Sequence, residues 1–171
     1  SFGAYYGFFA LYMRDLDYSG QQTGIFIALG VLAEVGIFLI ARRLISQFGV
    51  WNLLFVSIAL TGLRWYVMAA FADTFMVIVL SQLIHALSFG LTHAVSVHFI
   101  HQFLPKAYQS RGQAVYISIA FGLGGAFGNY LAGQQWQQGT NAYETFVTAA
   151  VFAAIGALSL LLCSRKEMES A

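Results

Sequence analysis

The chain has 171 residues, of which 59% are hydrophobic and 9% charged, with eight basic residues against seven acidic and a formal net charge of +1. A soluble domain carries about 25% charged residues because its surface must face water, so this composition excludes a soluble globule and points to an integral membrane protein. The near-neutral charge, with no basic block, argues against nucleic-acid binding, and the lone Cys163 has no partner for an internal disulfide.

Charge and turn residues divide the chain into six apolar stretches, expected at 2–13, 23–41, 51–71, 75–104, 112–132 and 143–163. The first is too short to cross a bilayer of roughly 30 Å; it begins without Met inside an apolar run, so it reads as a truncated helix and the chain as a fragment. The segment 14–22 is a polar loop with Gly20 as its breaker. The second stretch ends at Ala41, and Arg42 to Val50 form a short basic loop ending in a Gly49 turn. Ala72, Asp73 and Thr74 form the next turn. Pro105 stops the fourth stretch, Lys106 to Arg111 form a loop, and a Gln-rich turn separates the fifth stretch from the sixth. The runs are too long and too uniformly apolar for barrel strands, so the predicted class is all-α.

Loop charge gives an orientation. One set of loops holds Arg42, Arg43, Lys106, Arg111, Arg165 and Lys166, while the other holds Arg14 beside Asp15, Asp17 and Asp73. By the positive-inside rule the first set and the C-terminus are cytoplasmic.

Glu34, Arg64 and His85 are the ionisable residues set deep in these spans. At about 1.5 Å per residue they lie roughly 17, 10 and 15 Å from the outer face, on three consecutive helices. A charge at that depth costs about 2.5–3.5 kcal/mol on insertion scales, so such groups face one another or a cavity. Two readings follow: a structural Glu34–Arg64 ion pair that orients two helices, or a proton and anion site. Ser81, His85, Ser88, Thr92 and Ser96 fall on one helical stripe, and Ser57 and Thr61 lie near the Arg64 face. These read as walls of a wet path, or as hydroxyls bonded back to their own helices. Phe2, Tyr5, Phe9 and Tyr12 share one face of the first helix, either as an interfacial belt or as a substrate-stacking surface. Gly3 and Gly7, with Gly124, Gly128 and Ala132, are small-residue patterns for close helix contact. His98 and His101 are too few for a metal site and more consistent with solvated or headgroup contacts. No cofactor motif and no catalytic constellation is present.

The six-span layout, the basic loop after the second span and the glycine-rich fifth span resemble the C-terminal half of a major facilitator superfamily transporter. The order Glu34, Arg64, His85 is similar to the acid, arginine and histidine of the lactose permease branch. The segments 30–35, 82–90 and 110–116 most resemble the phenylpropionate permease group. In two places the chain departs from those patterns: Ser88 stands where lactose permease has a second carboxylate, and only Leu44 and Gly49 fit the superfamily's loop signature.

The resemblance implies one half of a twelve-helix bundle, an inverted three-plus-three repeat, completed by an N-terminal six-helix half and set in a bacterial inner membrane. It implies secondary active, proton-coupled uptake of a small organic anion, such as a phenylpropionate-like aromatic carboxylate. Arg64 and His85, with Tyr5, Phe9 and Tyr12, are the candidate substrate-binding residues; Glu34 and His85 are the candidate proton-coupling residues. Proton symport of a neutral sugar or nucleoside is the alternative within transport, and a non-transporting six-span membrane component is the alternative outside it.

The orientation is testable by cysteine labelling in intact cells. Cysteines at Asp17, Asp73 and Gln137 are expected to react with an impermeant reagent from outside, and those at Gln47, Lys106 and Glu169 to stay protected. Equal labelling at Asp73 and Lys106 would contradict the six-span layout.

Overall fold

In the computed structural model, which describes residues 1–170, the chain is helical from end to end, with connections of one to four residues. The helices are α1 (Gly3–Asp15), α2 (Gly20–Phe48), α3 (Val50–Phe71), α4 (Phe75–Phe103), α5 (Lys106–Gly139), α6 (Ala142–Leu160) and α7 (Arg165–Ser170). Among the described residues, α2 to α6 are long and apolar enough to cross a membrane. The 13 residues of α1 reach about 20 Å, which is short of a bilayer core.

Several helices run further than charge alone predicts. α2 continues through Arg42 and Arg43 to Phe48 and ends only where Gly49 takes φ 77°. The expected basic loop is therefore helix. Charged residues end burial in lipid, but Arg, Leu, Ile and Gln are adequate helix formers and do not end the helix itself. At its start, Ser19 and Gln22 form a reciprocal capping box, with Gln22 Oε1 accepting from the Ser19 amide at 2.8 Å, so the helix begins before the expected Thr23. α5 likewise extends beyond 112–132 at both ends. The terminal α7 was not anticipated, although Ser164 followed by Glu167 is a capping pattern, and the Glu167 amide does donate to Ser164 Oγ.

Short connections make successive helices alternate in direction, which gathers Arg42, Arg43, Lys106, Arg111, Arg165 and Lys166 at one end and Asp15, Asp17 and Asp73 at the other. α1 packs on α5, α2 on α4, and α3 along α6. These pairings map onto one another when α1–α3 are exchanged for α4–α6, and three alternating helices leave α4 opposed to α1. That is the topology of an inverted three-plus-three repeat. At the basic end Glu169 on α7 turns back onto α3, its carboxylate accepting from the Val50 and Trp51 amides at 3.1 and 3.0 Å. An anion there satisfies amides that the helix itself leaves free.

Two apolar clusters bracket the middle of the bundle. Toward the acidic end Tyr5, Phe9, Met13, Trp65, Met68, Ile78 and Phe146 pack together. Toward the basic end Val50, Leu53, Leu54, Leu91 and Val95 do the same. Between them α3 and α4 bury Ser57, Thr61, Arg64, Ser81, Gln82, His85 and Ser88. The antiparallel run of the two helices brings their polar middles to one level.

The expected small-residue contact forms between α1 and α5. Gly3 lies against the Gly128 backbone, 3.5 Å from where a Gly128 Cβ would stand, and a side chain on Gly3 would overlap Gly128 itself. Gly3→Leu must therefore push the helices apart and is expected to destabilise by about 1–3 kcal/mol. Gly24→Leu, which meets nothing within 4 Å, is the control. Melting of the purified full-length protein in detergent reads both, and an unchanged midpoint for Gly3→Leu would disprove the close contact.

Candidate functional site

The three deep ionisable residues meet. His85 on α4 stands between the other two: its Nε2 is 2.8 Å from Glu34 Oε1, and its Nδ1 is 2.7 Å from Arg64 Nη1. A guanidinium only donates, so Nδ1 accepts and the imidazole proton sits on Nε2, donated to Glu34. Of the two readings, the direct Glu34–Arg64 ion pair is not made; His85 bridges the two residues instead, as a three-residue site requires. A second proton on His85 would set an N–H against the Arg64 N–H and break the chain at that point.

Arg64 is 2% exposed and His85 4%, so their partners carry the whole burden of solvation. Arg64 Nε donates to Ser81 Oγ at 3.0 Å. Its Cζ lies 4.7 Å from the Tyr5 ring centre and 4.3 Å from that of Trp65, a desolvated cation–π arrangement. Nη2 is buried without a hydrogen-bond partner. The Tyr5 hydroxyl donates to Gln82 Oε1 at 2.7 Å. Glu34 reaches His85 because glycine brings α2 and α4 close: a Cβ on Gly90 would stand 3.2 Å from Glu34 Cγ.

α4 is not a regular helix here. Ala86–Gly90 is a π-helical turn immediately after His85. One extra residue in the turn makes His93, eight positions from His85, behave like a residue seven away, which is two helical turns. The rings of His85, Phe89 and His93 accordingly stack down one face, at 5.3 Å and 1° for the first pair and 6.3 Å and 7° for the second. A second π turn, Ser118–Leu123, lies in α5 opposite.

Between α1, α4 and α5 a cavity of about 480 Å³ opens, walled by Phe2, Tyr6, Phe89, His93, Tyr116 and Phe121, with Thr92, Ser96 and Asn129 as further polar lining. Its size is within the ~300–1,000 Å³ of small-molecule sites. None of its described lining residues is Asp, Glu, Lys or Arg.

Several expectations change as a result. Arg64 and His85 do not line the cavity; Phe2, Tyr6 and Phe89 stand between, with Phe2 5.9 Å and Tyr6 6.4 Å from the His85 ring. Phe9 is packed in the core, and Tyr12 stacks on Phe146 at 5.4 Å, so neither reaches the cavity. Tyr5 is buried beside Arg64 instead. The hydroxyl stripe divides: Ser57, Thr61 and Ser88 are dry and bonded to helix carbonyls, with Thr61 Oγ1 donating to Ser57 O at 2.8 Å, whereas Thr92 and Ser96 reach the cavity. His93 was missed because a constant 3.6-residue period turns it away from His85, and Tyr116, Phe121 and Asn129 because no polar or charged stripe in the sequence marks the α5 face that meets α4.

A family profile described as "MFS_1 like family" matches residues 1–148. The chain belongs to this branch of the major facilitator superfamily. It is 33% identical over 123 residues to a "Probable 3-phenylpropionic acid transporter" of Escherichia coli (strain K12), an alignment covering 70% of this chain and 31% of that protein. It is 28% identical over 166 residues to a "Maltose permease" of Geobacillus stearothermophilus, covering 94% of this chain and 40% of that protein. The chain thus spans less than half the length of these superfamily relatives. No solved structure matches it.

The relay makes a stability prediction. His85→Phe leaves Arg64 buried with two unpaired nitrogens and is expected to cost about 3–5 kcal/mol. Adding Arg64→Met removes the stranded charge and should recover much of the loss. A double variant no more stable than His85→Phe would show that Arg64 is not the group left in difficulty.

Proposed function

We propose that this chain is the C-terminal half of a secondary transporter that takes up a small organic acid, such as an aromatic carboxylate, together with protons across a bacterial inner membrane, with its C-terminus cytoplasmic. The observation that carries the reading is the Glu34–His85–Arg64 chain, with His85 and Arg64 buried, beside an aromatic cavity. Ionisable groups held at mid-membrane mark proton and anion paths, and a cavity walled by rings suits a planar ligand. One of the relatives is named for an acid of this kind.

Glu34 is the proton site. Ionised, it accepts the His85 Nε2–H and thereby fixes the imidazole that accepts from Arg64. Protonated, it no longer supplies the anion that holds this order, and the tie between α2 and α4 loosens. Ser88 occupies the place of a second carboxylate, so Glu34 is the carboxylate set deep in these spans, Glu144 standing in the first turn of α6. Arg64 balances its charge and becomes a partner for the substrate carboxylate only when the aromatic wall moves. A neutral sugar is the competing substrate, favoured by likeness to a relative named as a maltose permease.

Uptake by the full-length transporter in vesicles separates these readings. Glu34→Gln should abolish accumulation driven by an imposed pH gradient while exchange of internal for external substrate survives, since exchange moves no net proton. Undiminished gradient-driven accumulation would remove Glu34 from the proton path. Transport of maltose but of no aromatic acid by the wild type would replace the acid reading with the sugar one.

A further inference from the structure

The cavity wall contains a second polar pair that the relay does not use. His93 on α4 and Tyr116 on α5 face each other, Nδ1 to hydroxyl, at 3.4 Å. That is long for a bond between a hydroxyl and a nitrogen, so the pair is close but not locked. Both rings are held in place: His93 stacks on Phe89, and Phe121 stands edge-on to Phe89, His93 and Tyr116 at 5.7, 5.9 and 5.8 Å.

Thr92 and Asn129 of the wall are engaged elsewhere, while Ser96 stands within hydrogen-bonding reach of the Tyr116 hydroxyl. Thr92 Oγ1 lies 2.6 Å from Ser88 O and 2.8 Å from Ser57 Oγ, within the α3–α4 contact. Asn129 Nδ2 donates to Gly125 O at 3.1 Å, and its Oδ1 lies against Gly7. Arg64 does not line this cavity, and Phe2, Tyr6 and Phe89 pack on the His85 ring between them. A carboxylate entering the cavity in this conformation therefore meets His93 and Tyr116 before it can meet the guanidinium.

We propose that His93 and Tyr116 form the carboxylate subsite of this cavity, with the ligand's ring held among Phe2, Tyr6, Phe89 and Phe121. This rests on the organic-acid reading above. An N–H from the imidazole and the O–H of the phenol each take one carboxylate oxygen; a carboxylate only accepts, so it draws both donors away from each other. Apolar contact with the rings sets the preference for an aromatic acid, and the donor pair sets the preference for an acid over its neutral analogue.

The test is equilibrium binding of 3-phenylpropionate and of uncharged 3-phenylpropionamide to the purified full-length protein. His93→Phe keeps a flat ring and removes both nitrogens; Tyr116→Phe removes only the hydroxyl. Each is expected to weaken binding of the acid about tenfold, the loss typical of one hydrogen bond to a charged group, while binding of the amide changes less. His93→Gln, which keeps a donor, should recover part of the affinity for the acid. Both Phe variants binding the acid as the wild type does would overturn the subsite and leave the acid reading standing. Equal losses for acid and amide would also overturn it, since the residues would then only shape the cavity. A wild type that binds no aromatic acid would defeat the underlying reading itself. Tyr116→Phe changes one atom, so it answers the question even if His93→Phe does not fold.

Discussion

A guanidinium that can never be neutralised lies at the middle of an apolar bundle, and much of the surrounding structure is arranged to keep it there. Arg64 donates one bond to Ser81 and one to His85 on α4, and the faces of Tyr5 and Trp65 cover its plane. Each of these partners fixes something larger. Ser81 and His85 set the register of α3 against α4. Tyr5 holds α1 against that pair and is itself anchored through Gln82. His85 needs a carboxylate on its far side, which brings in Glu34 and, with it, the close approach of α2 at Gly90. Four helices are thus oriented by the requirements of one charge, which apolar packing alone, being non-directional, would not specify.

The π turn in α4 follows from the same demand. A regular helix would carry the surface after His85 steadily around its axis, and the face used for the relay would not continue into the cavity. One extra residue between Ala86 and Gly90 restores the line, so that a single face holds His85, then Phe89, then His93. π turns interrupt helices at some local energetic expense and recur at functional positions. Here two of them, in α4 and α5, flank the same cavity.

Much of the fold was legible in the sequence because lipid imposes simple rules: long apolar runs become helices, and loop charge separates the two ends. The deep Glu34, Arg64 and His85 stood out for the same reason, as charges in a medium that penalises them. Helix ends were less legible. Arg42 and Arg43 mark the edge of the hydrocarbon, yet the backbone hydrogen-bond ladder runs on to Gly49, because polarity and helix propensity are separate properties. Periodicity puts the α1 aromatics on one face but cannot say what that face touches; in this conformation Phe9 packs against Tyr5 in the core and Tyr12 stacks on Phe146. His93 was hidden by the π turn, since a wheel drawn at constant period turns it away from His85, although the same wheel did place Thr92 and Ser96, which line the cavity. Only the spacing of His85, Phe89 and His93, four residues apart in each step, hinted at a specialised face.

The separation of the relay from the cavity has a physical consequence of its own. Phe2, Tyr6 and Phe89 keep the Glu34–His85–Arg64 chain out of direct contact with the space that a ligand would fill. Water reaching Arg64 and His85 would screen the contacts between them and weaken the reason for the helices to hold this arrangement. In the proton-coupled reading proposed above, the proton site and the substrate site must also communicate without sharing an open water path, or protons would cross alone. Stacked rings meet both needs, since they exclude water yet are rigid enough that moving Phe89 must disturb the rings on either side of it. The dry wall is therefore as much a part of the site as the charges behind it.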